Sequence, residues 1–278
     1  MCVAAAPARF TGTILYHGLR NHPEHGRVHV LGYQNTAQNL ASGPNAMLLH
    51  LPAKGMTQAN FIDTSGCSRV LRDMLDAVRP FSYGRGPGAP AGAAPGGPPP
   101  VQVFDHDIYT VVLATDPTLI PDALRLVPEH KRIPVNRPLF DFYAALYPDY
   151  AVALCCFDNR EAMAANPLLM WYEPHDPGRF ALPAIDCHTG AVPDLAASVL
   201  TDHWVILGTD EAPPDWGAPV FYTQPRTAPV AAFLPDRVIG TAFNGWQPNG
   251  DFVISHDEVL RGEPGLLRRI APGWAPPL

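Results

Sequence analysis

Charge is what this sequence has least of. Asp, Glu, Lys and Arg make up 16% of its 278 residues, and lysine occurs only as Lys54 and Lys131. The 26 acidic residues outnumber the 19 Lys and Arg, for a formal net charge of −7, and no Lys/Arg cluster is present. That excludes the electrostatic footprint by which proteins hold nucleic acid. Also missing is any apolar run near the roughly 20 residues a helix needs to cross a bilayer. The N-terminus lacks the basic and apolar regions of a signal peptide, so a cytoplasmic protein that binds no membrane is expected. No Gly-rich phosphate loop and no regular strand–helix alternation occurs, which leaves nucleotide binding without support. The five cysteines (Cys2, Cys67, Cys155, Cys156, Cys187) are odd in number and irregularly spaced. That fits a reducing compartment better than a disulfide framework. Cys155 and Cys156 lie in an apolar run and point to opposite faces of a strand, so they read as small core residues.

What is abundant is apolar surface and proline: 47% hydrophobic residues and 33 prolines. Enough can be buried for a substantial core, with short strands and many loops rather than long helices. β-branched and aromatic runs bounded by Gly, Pro, Asn and Asp predict strands at 12–17, 27–34, 46–51, 101–104, 109–114, 151–157, 168–172, 180–185, 203–208, 220–222, 238–243 and 251–255. The two Asn-Gly signals between Asn244 and Gly250 predict a hairpin joining the last pair. Helical spacing appears over 68–78, with Ser68 as N-cap, and over 121–127 and 138–146. The expected class is α+β: β-rich, mostly antiparallel, with a few short helices. Residues 83–100, built from Gly, Pro and Ala, predict a disordered loop inside a single domain of residues 1–278, with a two-lobe split into 1–82 and 101–278 as the alternative.

Cysteine directly after the initiator methionine is the sharpest chemical signal. Removal of Met1 places a thiolate nucleophile and an α-amine of pKa about 7.7–8.0 on one residue. Gly12, the apolar run Thr13–Tyr16, His17 and then Arg20-Asn21 follow it. This opening resembles that of N-terminal-nucleophile hydrolases of the choloylglycine hydrolase and penicillin V acylase group, which begin Met-Cys and run through a turn glycine and an apolar strand into an Arg-Asn-x-Asp element. The resemblance covers about the first twenty residues and implies Cys2 as nucleophile, its amine as base, and Arg20 lowering the thiol pKa. His22-Pro23 replaces the family's acidic position after Asn21. It implies an amidohydrolase or acyl transferase that acts on a small-molecule or peptide amide, with Cys2, Arg20, Asn21 and His17 as catalytic residues and no cofactor. The layout of Asn45–Pro52, Phe61–Ser65, Asp186-x-His188-Thr189-Gly190 and Asp202-His203 also resembles uncharacterised bacterial and protist proteins, which implies one unit across the loop.

Two further constellations carry alternatives. His17, His22, His25 and His29 read as a polar hairpin, since no CxxC or HExxH geometry accompanies them. Asp186, His188 and His203 flank apolar runs that, as antiparallel neighbours, bring two imidazoles together for metal binding or proton transfer. A metal-dependent enzyme is therefore a second reading. A third is a non-catalytic binding or scaffold protein with a protein partner, for which Trp216, Trp246 and Trp274 are the candidate surface aromatics.

Overall fold

The structure is a computed structural model and describes residues 3–40, 43–79, 100–162 and 165–272. Cys2, Trp274 and nearly all of the expected loop at 83–100 lie outside them. The fold is α+β, with two large sheets, a small third one and short helices.

Five antiparallel strands form the first sheet in the order β1 (Val3–Ala4), β4 (Asn45–Leu51), β8 (Ala151–Phe157), β7 (Tyr109–Ala114), β6 (Val101–His106). The second has seven: β12 (Ala218–Pro219), β13 (Arg237–Pro248), β11 (Ser198–Thr209), β2 (Ala8–His22), β3 (Gly26–Asn39), β9 (Leu168–Tyr172) and β5 (Phe61–Ile62). Its one parallel pair is β11 with β2. The third sheet is β10 (Arg179–Leu182), β14 (Asp251–Ser255) and β15 (Arg268–Ile270). Both large sheets pair strands from before residue 79 with strands from after residue 100: β4 with β8, and β2 with β11.

Strand alternation explains the layers. Leu15, Leu19 and Leu31 of the seven-stranded sheet meet Met47, Leu49, Val111 and Cys155 of the five-stranded sheet in one core, joined by Phe180 and Phe252 of the third. Each such side chain contributes about 1.5–3 kcal/mol on burial. The alternate residues point outward. Leu48, Val112, Leu154 and Cys156 are covered by α2 (Ile120–Ala123) and α3 (Arg137–Leu146). Ile14, Tyr16, Val30 and Ile206 are covered by α1 (Val70–Val78) and α4 (Ala228–Ala231). The two cysteines therefore occupy opposite faces, as the period of a strand requires. Gly32 marks the closest approach of α1 to the sheet, since a Cβ there would stand 2.7 Å from Leu71 Cδ2.

Three local expectations are corrected. β13 does not turn back at Asn244: it continues to Pro248 because β11 extends to Ser198 and pairs with it throughout, and β14 pairs with β10 and β15 instead. Ladder hydrogen bonds along that full length outweigh the local turn preference of Asn-Gly. Residues 220–222 form no strand; β12 precedes them. Ser68 does not cap α1, whose N-cap is Arg69 with no side-chain cap bond.

Candidate functional site

The residues expected to serve Cys2 are placed as follows. Arg20 Nη1 stands 2.5 Å from Asp210 Oδ1 and is mostly buried. The backbone N–H of Asn21 donates to Asp210 Oδ2 at 2.7 Å. His17 lies fully buried on the core face of β2 beside His29 of β3, Nε2 to Nδ1 2.9 Å, with His17 Nδ1 3.1 Å from the Ala181 carbonyl. A carbonyl only accepts, so His17 carries its proton on Nδ1. Burial holds the His17 pKa well below the usual histidine range and brings His29 down to about 4, so both rings are neutral. The histidines do lie on the expected hairpin, β2–β3, with His25 exposed in its turn, but His17, His22 and His29 are buried. His25 stacks on Trp171 (ring centroids 4.1 Å) and His22 on Phe233 (4.2 Å), continuing the helix-covered face out to the β2–β3 turn.

The strand pairing expected to join Asp186, His188 and His203 is not formed. β10 and β11 are not neighbours: β10 pairs with β14, and β11 lies between β13 and β2. Asp186 Oδ1 stands 3.1 Å from His188 Nε2. Asp202 accepts the Gly12 N–H at 2.7 Å. Burial lowers the pKa of His188 and, more strongly, of His203. Among the described residues, no group of three or more His, Cys, Asp or Glu side chains is placed to hold a metal ion. Cys187 Sγ contacts Thr189 Oγ1 (3.4 Å) and the Ala191 carbonyl (3.3 Å) rather than either imidazole.

Sequence reasoning missed a third cluster, which is the best-connected one. Asp251, at the start of β14, accepts four hydrogen bonds. Tyr147 Oη (2.5 Å) and His50 Nε2 (2.9 Å) reach Oδ2, and the Ala184 N–H (2.8 Å) and Ile185 N–H (3.3 Å) reach Oδ1. Burial pushes the Asp251 carboxyl up, but the His50 imidazole and these donors outweigh it and hold it below the usual carboxylate range. The Tyr147 hydroxyl is pushed far up, chiefly by burial and then by Asp251. A carboxylate with four donors is charge-satisfied. It ties together the five-stranded sheet, the residue that caps α3 and the small sheet. Its signal in the sequence is His50, a lone polar side chain in the apolar run Met47–Leu51, because a buried imidazole requires a partner.

The remaining feature is an uncovered face. Beyond α1, the outer face of the seven-stranded sheet carries Trp204, Leu200 and Trp246, the last two directly opposite each other in the β11–β13 ladder. Leu200 is 62% and Trp246 71% exposed. Arg79, at the end of α1, stacks over Trp204 at 5.2 Å, and Arg9 of β2 is exposed on the same outer face. Among the described residues, the outer edge of β13 has a strand partner only at Arg237 and Val238. From Val238 to Pro248 that strand bears no ionisable side chain. Natural edges are ordinarily blunted by charge, and this one is not. Of the tryptophans expected at the surface, Trp216 is instead buried and donates Nε1–H to the Val259 carbonyl at 2.7 Å.

No protein-family model matches the chain. No curated protein matches it either. Among solved structures it is similar to baculovirus P35, at 15% identity over 74% of this chain and 67% of that one, with a TM-score of 0.41. It is also similar to a mutated baculovirus P35 after caspase cleavage. One such structure aligns at 11% identity over 87% and 96% of the two chains (TM-score 0.44), another at 11% over 88% and 91% (0.41). The expected hydrolase and its N-terminal nucleophile chemistry are corrected here. These three solved structures are of P35 and not of amide hydrolases, and they lend no support to a small-molecule amide substrate. At this level of similarity P35 says nothing about what this chain binds. Among the described residues, no helix is long and apolar enough to cross a membrane.

Proposed function

We propose that the chain is a non-catalytic binding protein whose partner is another protein. The observation that carries this reading is the Leu200–Trp246 pair, exposed on the outer sheet face where β11 and β13 run past α1. Exposed aromatic and aliphatic side chains gathered on one rigid surface mark interaction sites, and tryptophan is a favoured anchor. The edge of β13 beside them offers unpaired backbone donors and acceptors with no charge to repel a docking strand. Arg79 and Arg9 on this face are accompanied by Asp202, which alternation along β11 sets between Leu200 and Trp204. The partner surface accordingly presents apolar side chains with charged or polar groups at their margin.

The test compares the parent with a Leu200→Asp, Trp246→Ala double variant by cross-linking mass spectrometry in an extract of the source organism. Cross-links from one partner that map beside β11 and β13 and vanish in the variant are expected. Partner cross-links that persist in the variant, or that map to another face, would remove the proposal.

A further inference from the structure

The third sheet has a concave face of its own, separate from the exposed Leu200–Trp246 pair. Alternation along the third sheet places Arg179 and Ala181 of β10, Asp251 and Val253 of β14, and Ile270 of β15 on the face turned away from the core, since Phe180, Leu182, Phe252 and Ile254 take the core side. The end of α3 and the loop after it, Tyr147 to Tyr150, close over that face. Between them is a pocket of about 230 Å³. A cavity of about 150 Å³ already holds benzene, so a single ring with one substituent fits.

Apolar and polar surface share the walls about equally, the apolar part coming from Leu146, Val253, Ile270 and the tyrosine rings. The polar groups on the lining differ in whether they are engaged. Asp251 and Tyr147 are occupied with each other, and Asp251 has its remaining donors from His50 and the backbone. Arg179, by contrast, makes no ion pair among the described residues, although it lines the pocket and is half-buried. Tyr150 stands on the same lining, and burial, then Asp251, raises its pKa, so its hydroxyl stays protonated and able to donate. The acidic Asp149 side chain is exposed at the rim. A guanidinium and a phenolic O–H are both donors, and a guanidinium matches a carboxylate in bidentate geometry.

We infer that this pocket binds a small organic carboxylate with a ring-sized apolar body, its carboxylate held by Arg179 and Tyr150 and its body against Val253, Ile270 and Leu146. Small pockets with few polar anchors hold such ligands weakly, so a dissociation constant on the order of 1 mM is expected.

Benzoate is the probe, and benzamide its neutral counterpart. In ¹H–¹⁵N correlation spectra of the whole chain, benzoate should give saturable shifts at β10, β14 and residues 147–150. Benzamide should bind at least tenfold more weakly, because the charge-assisted pair is lost. Arg179→Gln should weaken benzoate about tenfold while leaving the rest of the spectrum unchanged, and Tyr150→Phe should weaken it a few-fold. Absence of saturable shifts, saturation at other residues, or an Arg179→Gln variant that binds benzoate as the parent does would each overturn the assignment. None of these outcomes bears on the protein-binding face, which shares no residue with this pocket.

Discussion

Replacing Asp251 by alanine is the most direct test of what ties the small third sheet to the five-stranded sheet and to the end of α3. The change leaves Tyr147 Oη, His50 Nε2 and the N–H groups of Ala184 and Ile185 without their acceptor, all in buried surroundings. A buried donor left unpaired costs about 1–3 kcal/mol, so strict addition gives roughly 4–12 kcal/mol. Relaxation and entry of water reduce this, and removal of one member from a buried ionic cluster costs about 3–5 kcal/mol. The expected loss is therefore about 4 kcal/mol, a large share of the roughly 5–15 kcal/mol a domain possesses. Urea unfolding followed by tryptophan fluorescence measures it, with Tyr147→Phe as the control. That variant removes one donor, leaves the carboxylate three, and should cost about 1 kcal/mol. The pH dependence carries the same signature. Because the folded-state pKa of Asp251 is depressed, its contribution is present above the unfolded value of about 3.9 and is lost as pH falls through the folded one. Asp251→Asn should flatten that acid limb. An Asp251→Ala variant within about 1 kcal/mol of the parent, or a Tyr147→Phe variant as costly as Asp251→Ala, would refute the assignment of Asp251 as the common acceptor.

The buried pair His17–His29 predicts a second loss at milder acidity. Unfolding lets each imidazole titrate near 6.5, whereas His29 folded titrates at about 4. Stability should therefore fall as pH drops from about 6.5 towards 4, by roughly 3 kcal/mol for His29 alone; chemical unfolding at pH 7 and pH 4.5 checks this, and a His29→Gln variant that keeps the full slope would disprove it. Gly250 stands against β15, where an added Cβ would lie 2.0 Å from the Ile270 carbonyl oxygen. Gly250→Ala should cost about 3 kcal/mol, the upper end for overpacking, and thermal unfolding indistinguishable from the parent would show that β15 yields freely. The Leu200→Asp, Trp246→Ala variant should keep the parent's stability within about 0.5 kcal/mol, as exposed sites do; a larger loss in the same urea assay would mean that the two side chains support the fold rather than face a partner.

Several strands were legible because they are buried on both faces and so appear as apolar runs that stand out against a proline-rich background. β7, β8, β9 and β14 fall on their expected residues. The misjudged segment, Asn244–Gly250, carries the strongest local turn signal in the chain. It failed because its conformation is decided by β11, about forty residues earlier, whose Ser198–Thr201 half continues the ladder past the point where local preference would turn. Chemistry was harder to read for the same reason. The sequence search rewards residues that are near one another, and so it gathered Cys2 with Arg20 and Asp186 with His188. The fold gathers His50, Tyr147 and Asp251 from the five-stranded sheet, the end of α3 and the small sheet, and each alone resembles an ordinary residue. Only His50 carried a trace of its role, because a polar side chain at the fourth of five apolar positions must find a partner or be driven out of the core. The exposed Leu200–Trp246 pair was half-visible: Trp246 could be named as a surface aromatic, but its partner could not, because cross-strand register is a tertiary fact. What distinguishes this surface from the buried clusters is exposure: the Asp251 carboxylate finds its four donors inside the protein, whereas Leu200 and Trp246 beside the β13 edge face solvent. That contrast is why the protein-binding site is proposed on β13 rather than at the histidines.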